Sequence, residues 1–130
     1  MFLQFSIISA AIFGLTGVAL GAFGAHALHG TSLANGTLNA WKTGVHYQMV
    51  HAVALICVAS MIQSSGATMQ RYLAWAARFW VAGVILFSGS LYILALGGPQ
   101  IFGPITPLGG VAFILGWIYI LIAGLKYGKD

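Results

Sequence analysis

Polar and apolar positions in this chain fall in long blocks, with extended apolar runs separated by short stretches rich in Gly, Pro, Ser, Thr and the few basic residues. A bilayer crossing needs about 20 mainly apolar residues, each adding about 1.5 Å of helical rise. Four runs meet that length, at about 1–25, 41–63, 72–96 and 107–125. The first holds no charged side chain, the second carries His46 and His51 in its first half, and the third has one early charge, Arg78. A membrane barrel is a poor match, because its strands alternate with period 2 over roughly 10 residues, whereas these runs are apolar all round and about twice as long. No Lys or Arg precedes the first run, and it exceeds the 7–15 apolar residues of a secretory signal core, so it is expected to remain as a helix of the mature chain. The predicted fold is all-α, a four-transmembrane-helix bundle forming a single integral membrane domain over 1–130.

Composition narrows the function classes. Of 130 residues, 60% are apolar and only 5% charged, against roughly 25% charged in a soluble domain. A water-soluble globule, a disordered chain and a disulfide scaffold are all excluded, the last because Cys57 is the single cysteine. A net charge of +4 is too sparse for a nucleic-acid footprint, which needs clustered Lys and Arg. Four crossings place both termini and the 64–71 connection on one side. That side receives Arg71, Arg78, Lys126 and Lys129, and the other only Lys42, so the positive-inside rule predicts cytoplasmic termini. Tyr72, Trp75, Trp80 and Tyr127 are expected at the inner boundary and Trp41 and Tyr47 at the outer one, with Arg78 lifting its guanidinium towards the inner interface.

Glycine is expected to set the packing, since lipid supplies little drive to push helices together and close backbone approach becomes the main source of contact energy. Gly14, Gly17, Gly21 and Gly24 share one face of the first helix, and Gly109, Ala112, Gly116 and Ala123 one face of the fourth. Gly-Val pairs at Gly17, Gly44, Gly83 and Gly110 repeat with an offset of 66. This suggests two tandem helix hairpins related by a pseudo-twofold axis along the membrane normal, with coincidence in an apolar composition as the alternative.

Candidate chemistry gathers towards the outer half: His26, His29, His46, His51, Tyr47, Gln48, Ser88, Ser90, Tyr92, Thr106 and the 98–107 loop. His51 lies about 15 Å along its helix from Trp41, near mid-membrane, where an ionisable group is either a functional site or a hydrogen-bonding link between helices. His26, His29, His46 and Met49 are the candidates for a soft or borderline metal ion. His46 and His51 sit about 140° apart round a helix and cannot share one. Haem would need two axial histidines at matching depth, which His26 and His51 do not offer. Asp130 is the only acidic residue, so no carboxylate pair or Asp-supported triad can form within one protomer. No cofactor is expected.

Four motifs complete the reading: Gly21-Ala-Phe-Gly-Ala-His-Ala-Leu28, Trp41-Lys-Thr-Gly-Val-His-Tyr-Gln-Met-Val-His-Ala52, Phe87-Ser-Gly-Ser-Leu-Tyr92 and Ile105-Thr-Pro-Leu-Gly-Gly110. In this order they resemble the domain-of-unknown-function family 423 (DUF423, the UPF0382 group of small inner-membrane proteins), which has a related transmembrane family in eukaryotes. The resemblance covers nearly the whole chain. It implies a bacterial inner-membrane protein of four helices, and it supplies no activity. It points to Gly24, His26, Trp41, Gly44, Tyr47, Gln48, His51, Ser88, Gly89, Ser90, Tyr92, Thr106, Pro107, Gly109 and Gly110, and it does not require the histidine at His46. Three functions remain open: a non-enzymatic module binding membrane lipid or a membrane protein partner, an oligomeric small-solute or ion pathway lined by Gln48, His51, Ser88 and Tyr92, and a periplasm-facing metal or redox site. A homo-oligomer is compatible with each and required by the second.

Overall fold

Hydrocarbon offers backbone amides no water to bond, so an apolar chain of this kind must close its hydrogen bonds inside helices. The computed structural model describes residues 1–28 and 35–128. Its helices are α1 (Phe2–His26), α2 (Asn35–Gln63), α3 (Ala67–Gly83), α4 (Gly89–Ala95) and α5 (Ile105–Lys126). No strand occurs among the described residues. A single π turn, Val84–Ser88, joins α3 to α4, so the two make one crossing. The four spans long and apolar enough to cross a membrane are Phe2–His26, Thr37–Gln63, Ala67–Ala95 and Gln100–Lys126.

The helices begin earlier than the apolar runs do. α2 starts at Asn35 rather than Trp41, and α3 at Ala67 rather than Tyr72, because hydropathy marks the stretch that suits lipid, whereas a helix continues into the polar interface. α5 starts at Ile105, and Pro107 sits in its first turn, where a missing N–H costs no intrahelical bond. At the other end of that loop, Gly97 takes φ +81°. Its N–H bonds the Leu94 carbonyl and the Gly98 N–H bonds that of Ile93, a left-handed cap that closes α4 and that only glycine adopts without strain.

α1 packs chiefly on α2, and α3 on α5, while α2 also lies along the third crossing. The backbones of α1 and α5 stay more than 8 Å apart throughout. The two hairpins therefore do not meet through equivalent faces, as a strict twofold axis along the membrane normal would require. The backbones of α2 and α5 also stay more than 8 Å apart, and the space between them is filled by rings. Phe113 stacks on His51 at 3.9 Å and on Tyr47 at 5.8 Å, and Trp117 lies 6.0 Å from His51 between centroids.

Glycines let backbones meet where the helices cross. A Cβ at Gly109 would overlap the backbone of Phe87, one at Gly116 the Trp80 indole, and one at Gly17 the Met49 side chain. At Gly24 it would sit 2.5 Å from the Trp41 indole, and at Gly21 3.4 Å from Val45. Gly14 corrects the expected stripe: nothing lies within 4 Å of a Cβ there, because the buried line of α1 runs through Ser6, Ala10, Gly17 and Gly24 and Gly14 falls beside it. Two tryptophans also depart from expectation. Trp41 is 3% and Trp80 1% exposed, so both fill the bundle instead of the interfacial belt.

Candidate functional site

Gln48 is the hub of the half of the bundle that carries the 96–104 connection, here the loop end. Its carboxamide nitrogen donates to the Phe13 carbonyl at 2.9 Å and the Thr16 hydroxyl at 2.8 Å, both on α1. Its oxygen accepts the Tyr92 hydroxyl of α4 at 2.7 Å. A glutamine amide has two N–H donors and one carbonyl, so this buried side chain uses both donors and its carbonyl to tie three helices together. Thr16 passes its own proton to Ile12 O at 2.7 Å.

The neighbouring polar groups are arranged in the same way. Ser88, at the end of the π turn, donates to the Gly44 carbonyl at 2.6 Å. Trp41 donates to the Leu20 carbonyl at 2.9 Å, its ring packed between Phe23 and Tyr92. Ser90 donates to Phe87 O at 2.9 Å and pairs with the Thr106 hydroxyl of α5. A carbonyl group only accepts and an indole N–H only donates. His51, with Nδ1 2.7 Å from Tyr47 O and Nε2 accepting from Trp117 Nε1 at 3.1 Å, is therefore the neutral Nδ1–H tautomer. Neither ring nitrogen keeps a lone pair for a metal ion, and the ring is enclosed by Phe113, Tyr47, Trp80 and Trp117.

The residues singled out in the sequence thus divide. Tyr47, Gln48, His51, Ser88, Ser90, Tyr92 and Thr106 are brought together, and within one protomer the side-chain polar groups of all but Tyr47 link helices; the Tyr47 side chain is exposed, and it is its backbone carbonyl that meets His51. His26 is exposed at the last turn of α1 and takes no part. His46 and Met49 line a groove of about 390 Å³ between α1 and α2, with Gly21, Gly24, Ala25, Trp41, Lys42 and Val45. His29 lies outside the described residues. Among the described residues, no three His, Cys, Asp or Glu side chains gather for a metal ion. Sequence reading missed the parts of Thr16 and Trp117, since a lone threonine or tryptophan in an apolar helix carries no spacing signal. The Trp80 indole N–H is buried with no hydrogen-bond partner among the described residues.

Residues 20–110 match the family described as "Protein of unknown function (DUF423)", a stretch that contains every bonded residue from Trp41 to Thr106. UPF0382 membrane protein YwdK of Bacillus subtilis is 48% identical over 122 residues, covering 93% of this chain and 96% of the relative. UPF0382 membrane protein SAB0533 of Staphylococcus aureus is 42% identical, covering 93% and 95%. UPF0382 inner membrane protein YgdD of Escherichia coli K12 is 40% identical over 124 residues, covering 95% and 91%. No solved structure matches. The chain belongs to the DUF423 (UPF0382) family of membrane proteins of unknown function.

Proposed function

We propose that this protein is a non-enzymatic lipid-binding module of the bacterial cytoplasmic membrane, with both termini in the cytoplasm and the loop end facing the periplasm. The orientation rests on basic residues: Arg71, Arg78 and Lys126 stand at the terminal end and Lys42 at the loop end. The observation that carries the function is the division of labour at the loop end. Trp41, Gln48, His51, Ser88, Ser90 and Tyr92 are turned inward and bonded to side chains or backbone carbonyls of neighbouring helices, which leaves the groove between α1 and α2 open to the bilayer. Its floor is Gly21 and Gly24, its walls are Trp41, Val45 and Met49, and Lys42 and His46 are exposed beside it. A groove with a bare backbone floor suits an acyl chain, and Lys42 would meet the phosphate of the same lipid, since the described residues contain no carboxylate side chain to pair with it.

The test is photo-cross-linking of the full chain in liposomes with a phospholipid carrying a photoactivatable group on its acyl chain. Adducts are expected to concentrate on 21–25 and 41–49, and to fall severalfold in Ala25→Leu, which fills the groove from an exposed position. Adducts spread evenly over lipid-facing residues such as Leu15 and Ile114 would overturn the reading, as would capture of a second copy of the chain at the groove.

A further inference from the structure

The opposite end of the bundle holds a second feature that the polar network does not use. Thr68, Arg71, Tyr72 and Trp75 occupy successive positions on one face of α3, and Tyr119 of α5 closes over them to form a cavity of about 240 Å³. Its aromatic wall is continuous: Tyr119 lies 6.3 Å from Tyr72, 6.3 Å from Trp75 and 5.6 Å from Phe79 between centroids. Every polar side chain that lines it can donate, through three hydroxyls, a guanidinium and the Trp75 indole N–H. Among the described residues, Thr68, Arg71 and Tyr119 have no hydrogen-bond or ion-pair partner. Lys126 donates to the Tyr72 hydroxyl at 2.7 Å. That hydroxyl oxygen is already accepting, so its own proton is free to be donated.

Charge points the same way. Arg78, two turns along, holds its guanidinium over the rings of Trp75 (4.9 Å) and Phe2 (5.2 Å), so three cations surround this end with no carboxylate side chain among the described residues. Hydroxyl donors and cations with no carboxylate side chain beside them, set in aromatic walls at the end of the bundle, suit an anion. An arginine binds phosphate oxygens through paired N–H groups in a fixed fork. We propose that this cavity is a site for the phosphate of an anionic phospholipid, with Arg71 as the charged ligand and the Thr68, Tyr72 and Tyr119 hydroxyls completing the hydrogen bonds. The site is separate from the groove between α1 and α2 and does not depend on that groove binding lipid.

Native mass spectrometry of the full chain released from nanodiscs of phosphatidylglycerol and phosphatidylcholine tests it. The wild type should retain one phosphatidylglycerol in preference to phosphatidylcholine. Arg71→Gln should weaken that preference about tenfold, the scale of one charge-assisted hydrogen bond, and Tyr119→Phe should weaken it less. Arg71 is exposed and bonded to nothing in the described chain, so its replacement leaves the fold intact. Ala25→Leu should leave the preference unchanged, which separates failure of this site from failure of the groove. Equal retention of the two lipids by the wild type, or an unchanged preference in Arg71→Gln, would overturn the proposal. A parallel titration of inorganic phosphate in phosphatidylcholine nanodiscs distinguishes the sources: saturable binding lost in Arg71→Gln would assign the site to soluble phosphate and overturn the lipid.

Discussion

Replacing Gln48 with Leu removes three hydrogen bonds while keeping nearly the same volume, so the loss reports bonding and not a cavity. Interhelical hydrogen bonds in membranes average about 0.6 kcal/mol, with a ceiling near 1.7. The bonds to Phe13 O, Thr16 Oγ1 and Tyr92 OH therefore predict a destabilisation of about 2 kcal/mol, with about 5 as the upper limit. Thr16 still donates to Ile12 and loses only an incoming bond, whereas the Tyr92 hydroxyl loses its acceptor, so the value should exceed the simple average. Steric trapping in bicelles measures the unfolding free energy directly. A double-mutant cycle with Tyr92→Phe isolates one bond and should return a coupling of about 0.6 kcal/mol. A Gln48→Leu protein within about 0.5 kcal/mol of the wild type, less than one average bond, or a cycle with no coupling, would refute the claim that this side chain holds α1 and α4 to α2.

Other outcomes follow from the same geometry. Gly109→Ala forces a methyl into the Phe87 backbone and should cost about 1–3 kcal/mol. Gly14→Ala, with open space around it, should be neutral or stabilising by up to about 1 kcal/mol through helix propensity, and equilibrium unfolding that reverses this order would contradict the packing described. His51→Ala removes the Trp117 bond and the stacked ring that fills the gap to α5, and should lower the melting temperature in detergent. Copper or zinc added to the untagged protein should shift the melting temperature of the wild type no more than that of His51→Ala, because both His51 ring nitrogens are occupied, and saturable stabilisation that vanishes in His51→Ala would contradict the tautomer assigned here.

Much of the architecture is written in the apolar blocks, because a bilayer constrains length and leaves few alternatives. The ends of the crossings are not, since residues such as Asn35 and Thr68 continue a helix without being apolar. Glycine spacing marks a broad helix face but not the line along it that a neighbour covers, which is why Gly17, Gly21 and Gly24 touch α2 while Gly14, beside the buried line of Ser6, Ala10, Gly17 and Gly24, does not. Trp41 and Trp80 look like interfacial anchors by position, but the glycines opposite them, Gly24 and Gly116, open space inside the bundle for their rings. The polar residues of the loop end were legible as a cluster because hydroxyl, amide and imidazole groups are rare in such a chain. Their partners were not legible, because Phe13, Leu20, Gly44 and Tyr47 contribute backbone carbonyls that any residue would supply. The π turn leaves no compositional mark beyond the flanking Gly83 and Gly89.

Within one protomer the buried polar side chains at the loop end are bonded between helices, and a single cysteine tests whether water reaches them. Ser88 is fully buried and donates to Gly44, so Ser88→Cys in a Cys57→Ala background should resist a charged, membrane-impermeant thiol reagent added to either face, while a cysteine placed at Pro99 in the loop reacts. Labelling of Ser88→Cys at a rate comparable with the loop position would show water reaching the cluster, and would contradict the account.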